Sequence, residues 1–152
     1  MEVQEDFREL LILFNSHGVE YLITGAHTLA FYGAPRYTGD LDLLVRPSRV
    51  NAARIIAALT VFGFGELGLT ADDFALPGQI IQLGFPPVRI DLITSLTGVS
   101  WEEADSGTVS ADFGGVPVSY LGKRQFIINK RATGRLKDLA DLEALEETAP
   151  CR

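Results

Sequence analysis

The sequence predicts an α+β protein in which one mixed β-sheet packs against helices and two helices close the chain. Two observations favour this class. Helical and strand patterns alternate through the first half of the chain, whereas the second half contains two strand pairs joined by turns rich in glycine and proline. With 152 residues and neither an internal repeat nor a linker, the chain is predicted to form a single domain over residues 1–152 with its own hydrophobic core.

Apolar residues that recur every three or four positions, together with capping residues, predict the helices. The predicted helical segments are 5–16, 26–32, a helix that begins after Ser48, short turns at 70–73 and 100–103, and the closing pair 123–133 and 136–146. Period-two alternation predicts strands at 19–24, 38–45, 80–83, 88–94, 108–113 and 116–120, of which the last four form two hairpins.

The helix that begins after Ser48 is predicted to bury an apolar side made of Val50, Ala53, Ile56 and Ala57. The following segment, 59–69, is rich in glycine and aromatic residues, so it is predicted to be a loop.

Composition and charge exclude several classes of function. A net charge of −7 argues against a surface that binds nucleic acid over its whole area, although residues 123–137 carry six basic side chains and no acidic one. No apolar run is long enough to cross a bilayer, and the acidic N-terminus lacks the pattern of a signal peptide. The single cysteine, Cys151, cannot form an internal disulfide, so we expect a cytoplasmic protein.

The strand 38–45 carries two carboxylates, Asp40 and Asp42, among apolar residues. Residues i and i+2 of a strand lie on the same face, so both carboxylates point to one side of the sheet. Ionised carboxylates this close repel each other and resist burial, and a hard divalent cation with oxygen ligands relieves both effects. The strand is therefore predicted to bind a metal ion.

A third carboxylate, Asp91, lies in the strand 88–94 on the same predicted face as Arg89. If this strand lies beside the strand 38–45, the three carboxylates converge and can hold two divalent cations ~3.5–4 Å apart, an arrangement that activates an attacking oxygen and stabilises a leaving pyrophosphate. The alternative is a surface position in which Asp91 pairs with Arg89 or caps a turn.

The segment Thr24-Gly25-Ala26 marks a change from strand to helix. Helix N-termini present free N–H groups to anions, and a glycine lets a phosphate approach the backbone closely. A phosphate site one short helix before the Asp pair is what a complex of a nucleoside triphosphate with Mg²⁺ requires.

Taken together, these motifs resemble those of nucleotidyltransferases of the DNA polymerase beta superfamily, in which Gly-Gly or Gly-Ser follows a strand and precedes an Asp-x-Asp and a third Asp. The chain looks most like the small bacterial members found in toxin–antitoxin and phage-defence systems. The stretches that carry this likeness are 21–25, 35–40, Lys130 and 137–142. The chain departs from the pattern at Ala26, where the family has Gly or Ser.

The resemblance implies a sheet like the palm of polymerase beta and a metal-dependent site that uses Mg²⁺ or Mn²⁺. In that site Asp40 and Asp42 would bind the metal ion that carries the triphosphate. Asp91 would complete a second metal site and take the proton from the attacking hydroxyl.

The resemblance also implies residues that bind the nucleotide. Gly25 and Ala26 would cradle phosphates, and Arg36 and Lys130 are candidates for contacts with the nucleotide and its phosphates. Two alternatives stay open at this point. Lys130 could be a solvated lysine on a helix surface, and Arg36 could pair with Asp40.

Three other polar residues are assigned no chemistry. Asp138 and Asp141 lie on one helix face and are predicted to cap that helix and to pair with Arg131 or Arg135. His27 could touch a base or a phosphate, but a surface position is the preferred interpretation.

The leading hypothesis is an enzyme that transfers a nucleoside monophosphate from an NTP to a hydroxyl of a protein side chain, an RNA 3′ end or a small molecule. Because the chain is short, we expect a partner protein, a cognate toxin or antitoxin, to bring the acceptor; the basic stretch keeps tRNA as another possible partner. The alternative, favoured by Ala26, is a catalytically silent module that binds a partner protein or a nucleotide. Glycosyltransferases also use Asp-x-Asp but need a longer chain.

Overall fold

The computed structural model describes residues 4–34, 39–85 and 87–148. Within these residues the helices are α1 (Glu5–Ser16), α2 (Gly25–Phe31), α3 (Arg49–Leu59), α4 (Ala71–Ala75), α5 (Trp101–Ser106), α6 (Lys123–Thr133) and α7 (Leu136–Thr148). The strands are β1 (Tyr21–Thr24), β2 (Asp40–Val45), β3 (Ile80–Leu83), β4 (Arg89–Ile93), β5 (Val109–Phe113) and β6 (Val116–Tyr120). The predicted α+β class is confirmed.

The six strands form one mixed sheet in the order β3-β4-β2-β1-β6-β5. Both predicted hairpins, β3–β4 and β5–β6, are antiparallel and lie at the two edges of the sheet. In the centre, β2 runs antiparallel to β1 and parallel to β4. The strand with two acidic residues therefore lies beside the strand with the third, which is the condition that the predicted site required.

Period-two alternation gives the sheet two different faces. On one face, Leu41, Leu43, Ile90 and Leu92 belong to the larger core, which α1, α3 and α4 cover. On the other face, Leu44 belongs to a smaller core with residues of α6 and α7. The acidic residues of β2 and β4 lie further along this second face, beyond the apolar cluster.

The predicted apolar side of α3 is wrong. Val50 is 63% exposed, whereas Ala52 and Ile55 are fully buried. The helix is rotated relative to the prediction because its first turn buries a polar residue, Asn51, which a pattern of apolar residues does not detect. The Asn51 side chain accepts a hydrogen bond from the Glu20 N–H and donates to the carbonyls of Glu20 and Arg46.

The segment 59–69, predicted as a loop, begins with a turn of π-helix at Thr60–Phe64 that continues α3. Gly63 ends the helical path with a φ of 116°. Phe62 and Phe64 contact each other and pack against the larger core, so aromatic residues in a glycine-rich stretch here extend the core. None of the helices in the described residues is long and apolar enough to span a membrane.

Replacing Asn51 with leucine should lower the free energy of unfolding by ~2–4 kcal/mol, because the Glu20 N–H loses its acceptor and the carbonyls of Glu20 and Arg46 each lose one of two donors. Urea denaturation followed by circular dichroism measures this change. Ala53→Gln is the matched control on the same helix, since Ala53 is exposed, and should change stability by less than ~0.5 kcal/mol. A larger loss for Ala53→Gln than for Asn51→Leu would contradict the observed rotation of α3.

Candidate functional site

The parallel register of β2 and β4 brings the three predicted acids together. Asp42 lies directly opposite Asp91, and Asp40 lies opposite Arg89. On its other side, Asp42 is paired with Thr24 at the end of β1. The three carboxylates therefore share one face in the middle of the sheet, and Asp91 is only 7% exposed.

The carboxylates of Asp42 and Asp91 are in hydrogen-bond contact. Burial, followed by the negative charges of Asp91 and Asp40, raises the pKa of Asp42 to about 7, and the nearby ammonium of Lys130 opposes this rise. Near neutral pH, the protonated form of Asp42 is therefore favoured more than that of an ordinary carboxyl. A divalent cation offers the same relief from repulsion without protonation.

Arg89 bridges the two outer carboxylates. Its Nη2 donates to Asp40 Oδ2 at 2.7 Å and to Asp91 Oδ2 at 3.1 Å, and its Nε donates to Asp91 Oδ1 at 3.1 Å. The convergence of the acids and the pairing of Asp91 with Arg89, which the sequence presented as alternatives, occur together.

The donor set at this face suits a hard divalent cation, because it consists of carboxylate oxygens that already face one another. In the described part of the chain, no group of three or more His, Cys, Asp or Glu side chains has the arrangement of a metal site. The Arg89 contacts hold the Asp40 carboxylate and both oxygens of Asp91. The chemistry of the carboxylates suits a cation at the Asp42–Asp91 pair, but these side chains as placed do not form a site with three ligands, because Asp40 and Asp91 both bind Arg89.

Gly25, the predicted phosphate-binding glycine, packs against Asp42. Its φ is +69°, a conformation that favours glycine, and a Cβ at this position would overlap with the Asp42 carboxylate. The next residue, Ala26, is buried at the start of α2. The glycine at this junction therefore makes room for the central acid of the site.

His27 is not the surface residue that the sequence suggested. Its ring lies between Phe7 and Phe113, with centroid distances of 5.9 and 5.3 Å, and it hydrogen-bonds the backbone of Asp40. Burial lowers the pKa of His27, and the buried Nε2 has no hydrogen-bond partner. A neutral imidazole therefore helps to hold the first residue of β2 in place.

Lys130 is a buried lysine rather than a solvated one. Its Nζ lies 3.3 Å from Asp138 Oδ1 and 3.1 Å from Asp141 Oδ2, and 5.3 Å from the centre of the Phe126 ring. The predicted pairing of Asp138 with Arg135 is confirmed, at 2.8 Å, but the partnership of both acids with Lys130 was missed. The signal was present in the sequence as a helical Lys followed by Lys-Asp-x-x-Asp.

Hydrogen bonds keep Asp138 ionised although its side chain is fully buried. Burial alone would raise the pKa of Asp138, but hydrogen bonds from Arg135 and Thr133, together with Lys130, hold it well below its ordinary value. The backbone N–H of Arg135 also donates to this carboxylate, which caps α7 as predicted. The ammonium of Lys130 is thereby locked between α6 and α7.

A cavity of about 620 Å³ adjoins part of this site, although Asp91 and Arg89 are not among the residues that line it. Five of the predicted site residues line it, namely Gly25, Ala26, Asp40, Asp42 and Lys130. The wall also contains other polar side chains, those of Thr24, Ser95, Thr97, Asn129, Thr133, Arg135 and Lys137. Thr24 and Lys137 belong to motifs found in the sequence, whereas the others, from the turn after β4, from α6 and from the turn before α7, were not predicted as site residues. Arg36 lies outside the described residues.

Gly25→Ala should destabilise the protein by more than the ~1–2 kcal/mol that a left-handed backbone costs a residue with a Cβ, because the new methyl group also displaces Asp42. Gly68→Ala is the matched control, since Gly68 has a φ of +72° and nothing within 4 Å of the added methyl group. Chemical denaturation of both variants measures the difference. Equal losses would show that Asp42 does not press on Gly25.

Without divalent cations, the free energy of unfolding of the wild type should fall relative to that of Asp42→Asn as the pH rises from about 4 to about 7, whereas the lowered pKa of His27 acts in the opposite direction in both proteins. The folded chain binds the Asp42 proton more tightly than the unfolded chain, whose carboxyl has the ordinary pKa of 3.8, so deprotonation favours the unfolded state. Asp42→Asn lacks this contribution, whereas Asp105→Asn, a change at an exposed acid, should preserve it. Urea denaturation in EDTA at several pH values tests this, and parallel profiles for wild type and Asp42→Asn would refute it.

No family model and no curated protein matches the sequence. Solved structures match it in fold. A Thermotoga maritima protein assigned as a nucleotidyltransferase superposes with a TM-score of 0.59 at 12% identity, over 93% of this chain and 88% of its own. The antibiotic-resistance factor ANT(2'')-Ia gives 0.57 at 12% identity, over 94% and 86%. The lincosamide adenylyltransferase LnuA, with lincomycin bound, gives 0.54 at 11% identity, over 98% and 100%. The chain therefore has the fold of a small nucleotidyltransferase.

Proposed function

We propose that this chain is a metal-dependent nucleotidyltransferase, which transfers a nucleoside monophosphate from an NTP to a hydroxyl acceptor and releases pyrophosphate. The observation that carries the proposal is the cavity of about 620 Å³, which has carboxylates on one wall and ammonium, guanidinium, amide and hydroxyl groups on the other. A nucleotide with its cation needs both kinds of wall, and the volume is in the range of small-molecule sites.

In this proposal the acids hold the cation and the proton. Asp42 and Asp91, assisted by Asp40, would bind Mg²⁺ or Mn²⁺, which neutralises the triphosphate and polarises the transferred group. Asp91 accepts the proton of the attacking hydroxyl, a role that suits a buried carboxylate facing a second one. The backbone of Gly25 and Ala26, at the cavity wall, binds phosphate oxygens.

Lys130 is the proposed ligand of the leaving pyrophosphate. Its head lines the cavity, and its charge acts on Asp42. Ion pairs with Asp138 and Asp141 already fix the Lys130 side chain, so substrate binding costs little of its conformational entropy. Arg36, from the segment that carries part of the family likeness, is proposed as a further nucleotide ligand.

The acceptor is proposed at the level of a hydroxyl group. Chain length no longer requires a partner protein to present it, because LnuA has lincomycin bound and the match covers 100% of that chain. A small-molecule acceptor therefore stands beside a protein side chain and an RNA 3′ end. A cognate toxin or antitoxin as partner stays a prediction, as does a cytoplasmic location.

A silent module that keeps the fold is the second candidate. One observation favours it, in addition to Ala26. Arg89 pairs with Asp40 and Asp91, so two of the three acids already have a cationic partner without any metal ion. In that case the chain would bind a nucleotide or a partner without transferring a nucleotidyl group.

Thermal unfolding with Mg²⁺ or Mn²⁺ and each NTP tests binding. A nucleotide at 100 times its Kd should add ~2.7 kcal/mol to the stability of the folded chain. The double variant Asp40→Asn/Asp42→Asn should abolish this shift, whereas Asp105→Asn should keep it. If no nucleotide shifts the melting temperature of the wild type, both candidates that bind nucleotide are wrong.

Transfer of label separates the enzyme from the silent module. Label from the α-phosphate of an NTP should appear on an acceptor, and label from the γ-phosphate should appear only in pyrophosphate. Label transferred from the γ-phosphate would indicate phosphoryl transfer instead. Binding without pyrophosphate release, across the acceptor classes named above, would favour the silent module.

A further inference from the structure

We propose that Arg89 takes the place of one of the two cations that three converging carboxylates can accommodate, so that this site binds a single divalent ion. The inference rests on the proposed function only in assuming that a divalent cation belongs at the acids. It assigns to Arg89 a fixed charge inside the site, which neither the nucleotide-binding motifs nor the fold comparison indicates.

The contacts of Arg89 carry the first step of the argument. The guanidinium of Arg89 donates three charge-assisted hydrogen bonds, one to Asp40 and one to each carboxylate oxygen of Asp91. An ion that joined Asp40 to Asp91 would compete with Arg89 for both of its ligands, whereas an ion that joined Asp42 to Asp91 would compete with it for Asp91 alone. A planar guanidinium with two donors on Asp91 is therefore a direct competitor for that position.

The position of Arg89 in the sheet fixes the contacts of its guanidinium with Asp40 and Asp91. Arg89 is the first residue of β4 and lies opposite Asp40 in the parallel register, while Asp91 follows two residues later on the same strand. The guanidinium is thus held between its two partners by the backbone of two central strands. Its side chain is 28% exposed, compared with 46% for Arg46, which makes a similar two-oxygen contact with Glu20 outside the site.

The charge balance supports one ion. Three carboxylates and one guanidinium leave two negative charges, which one divalent cation at the Asp42–Asp91 pair neutralises. Lys130, the other cation that acts on Asp42, is already paired with Asp138 and Asp141. A second divalent ion beside Arg89 would give the site an excess of positive charge before any nucleotide arrives.

The test counts bound Mn²⁺ by electron paramagnetic resonance and by isothermal titration, without nucleotide. We expect one ion in the wild type and two in Arg89→Gln, which frees the oxygens of Asp40 and Asp91. Arg46→Gln is the matched control and should bind the same number as the wild type. Two ions in the wild type, or equal numbers in wild type and Arg89→Gln, would overturn the inference.

The folding of Arg89→Gln provides a second test of the inference. Arg89→Gln leaves the acids without a fixed cation, so it could fold only when Mn²⁺ is present, and such rescue would support the inference because the ion then replaces the guanidinium. A variant that stays unfolded with Mn²⁺ would count against it. Binding of no ion by the wild type would overturn the inference, because the native site would then not hold the single ion proposed for it.

Discussion

The contact between Asp42 and Asp91 is the constraint on which the rest of the site depends. Two like-charged groups lie side by side in the centre of a six-stranded sheet, where burial makes their repulsion stronger. Each carboxylate sits on a central strand, and apolar side chains of the same strands hold those strands in the core. The fold therefore cannot relieve the repulsion by moving the acids apart, and either a proton or a neighbouring positive charge has to relieve it.

The residues around the two acids accommodate their size and their charge in different ways. Gly25 leaves room for Asp42, since any side chain at position 25 would overlap with the Asp42 carboxylate. Arg89 supplies a positive charge to the outer acids, and His27 holds the backbone at Asp40 without adding a charge of its own. Gly25 and His27 belong to α2 and Arg89 belongs to β4, so two elements supply these neighbours of the acids.

Local patterns were sufficient to predict the strands, the hairpins and the shared face of the acids. Period two determines which side chains share a face, so the grouping of Asp40 with Asp42 did not need the fold. Their meeting with Asp91 depended on strand order, which the sequence could state only as a condition. The apolar side of α3 and the position of His27 were predicted wrongly for a common reason: a polar side chain such as Asn51 or His27 looks like a surface residue until its partners, here backbone groups and aromatic rings distant in sequence, are known.

The sequence also does not reveal the partners of the basic stretch 123–137, and these partners determine which ligands the stretch can bind. In the sequence, six cations without an acid suggest a patch that could meet RNA. In the fold, the acids of α7 turn back onto this stretch: Asp138 and Asp141 hold Lys130, and Asp138 also holds Arg135. Part of its positive charge is thus used inside the protein, to fix a wall of the cavity. An RNA would meet a smaller excess of charge than the sequence implies, so the stretch supports a nucleotide in the cavity better than a polynucleotide on the surface.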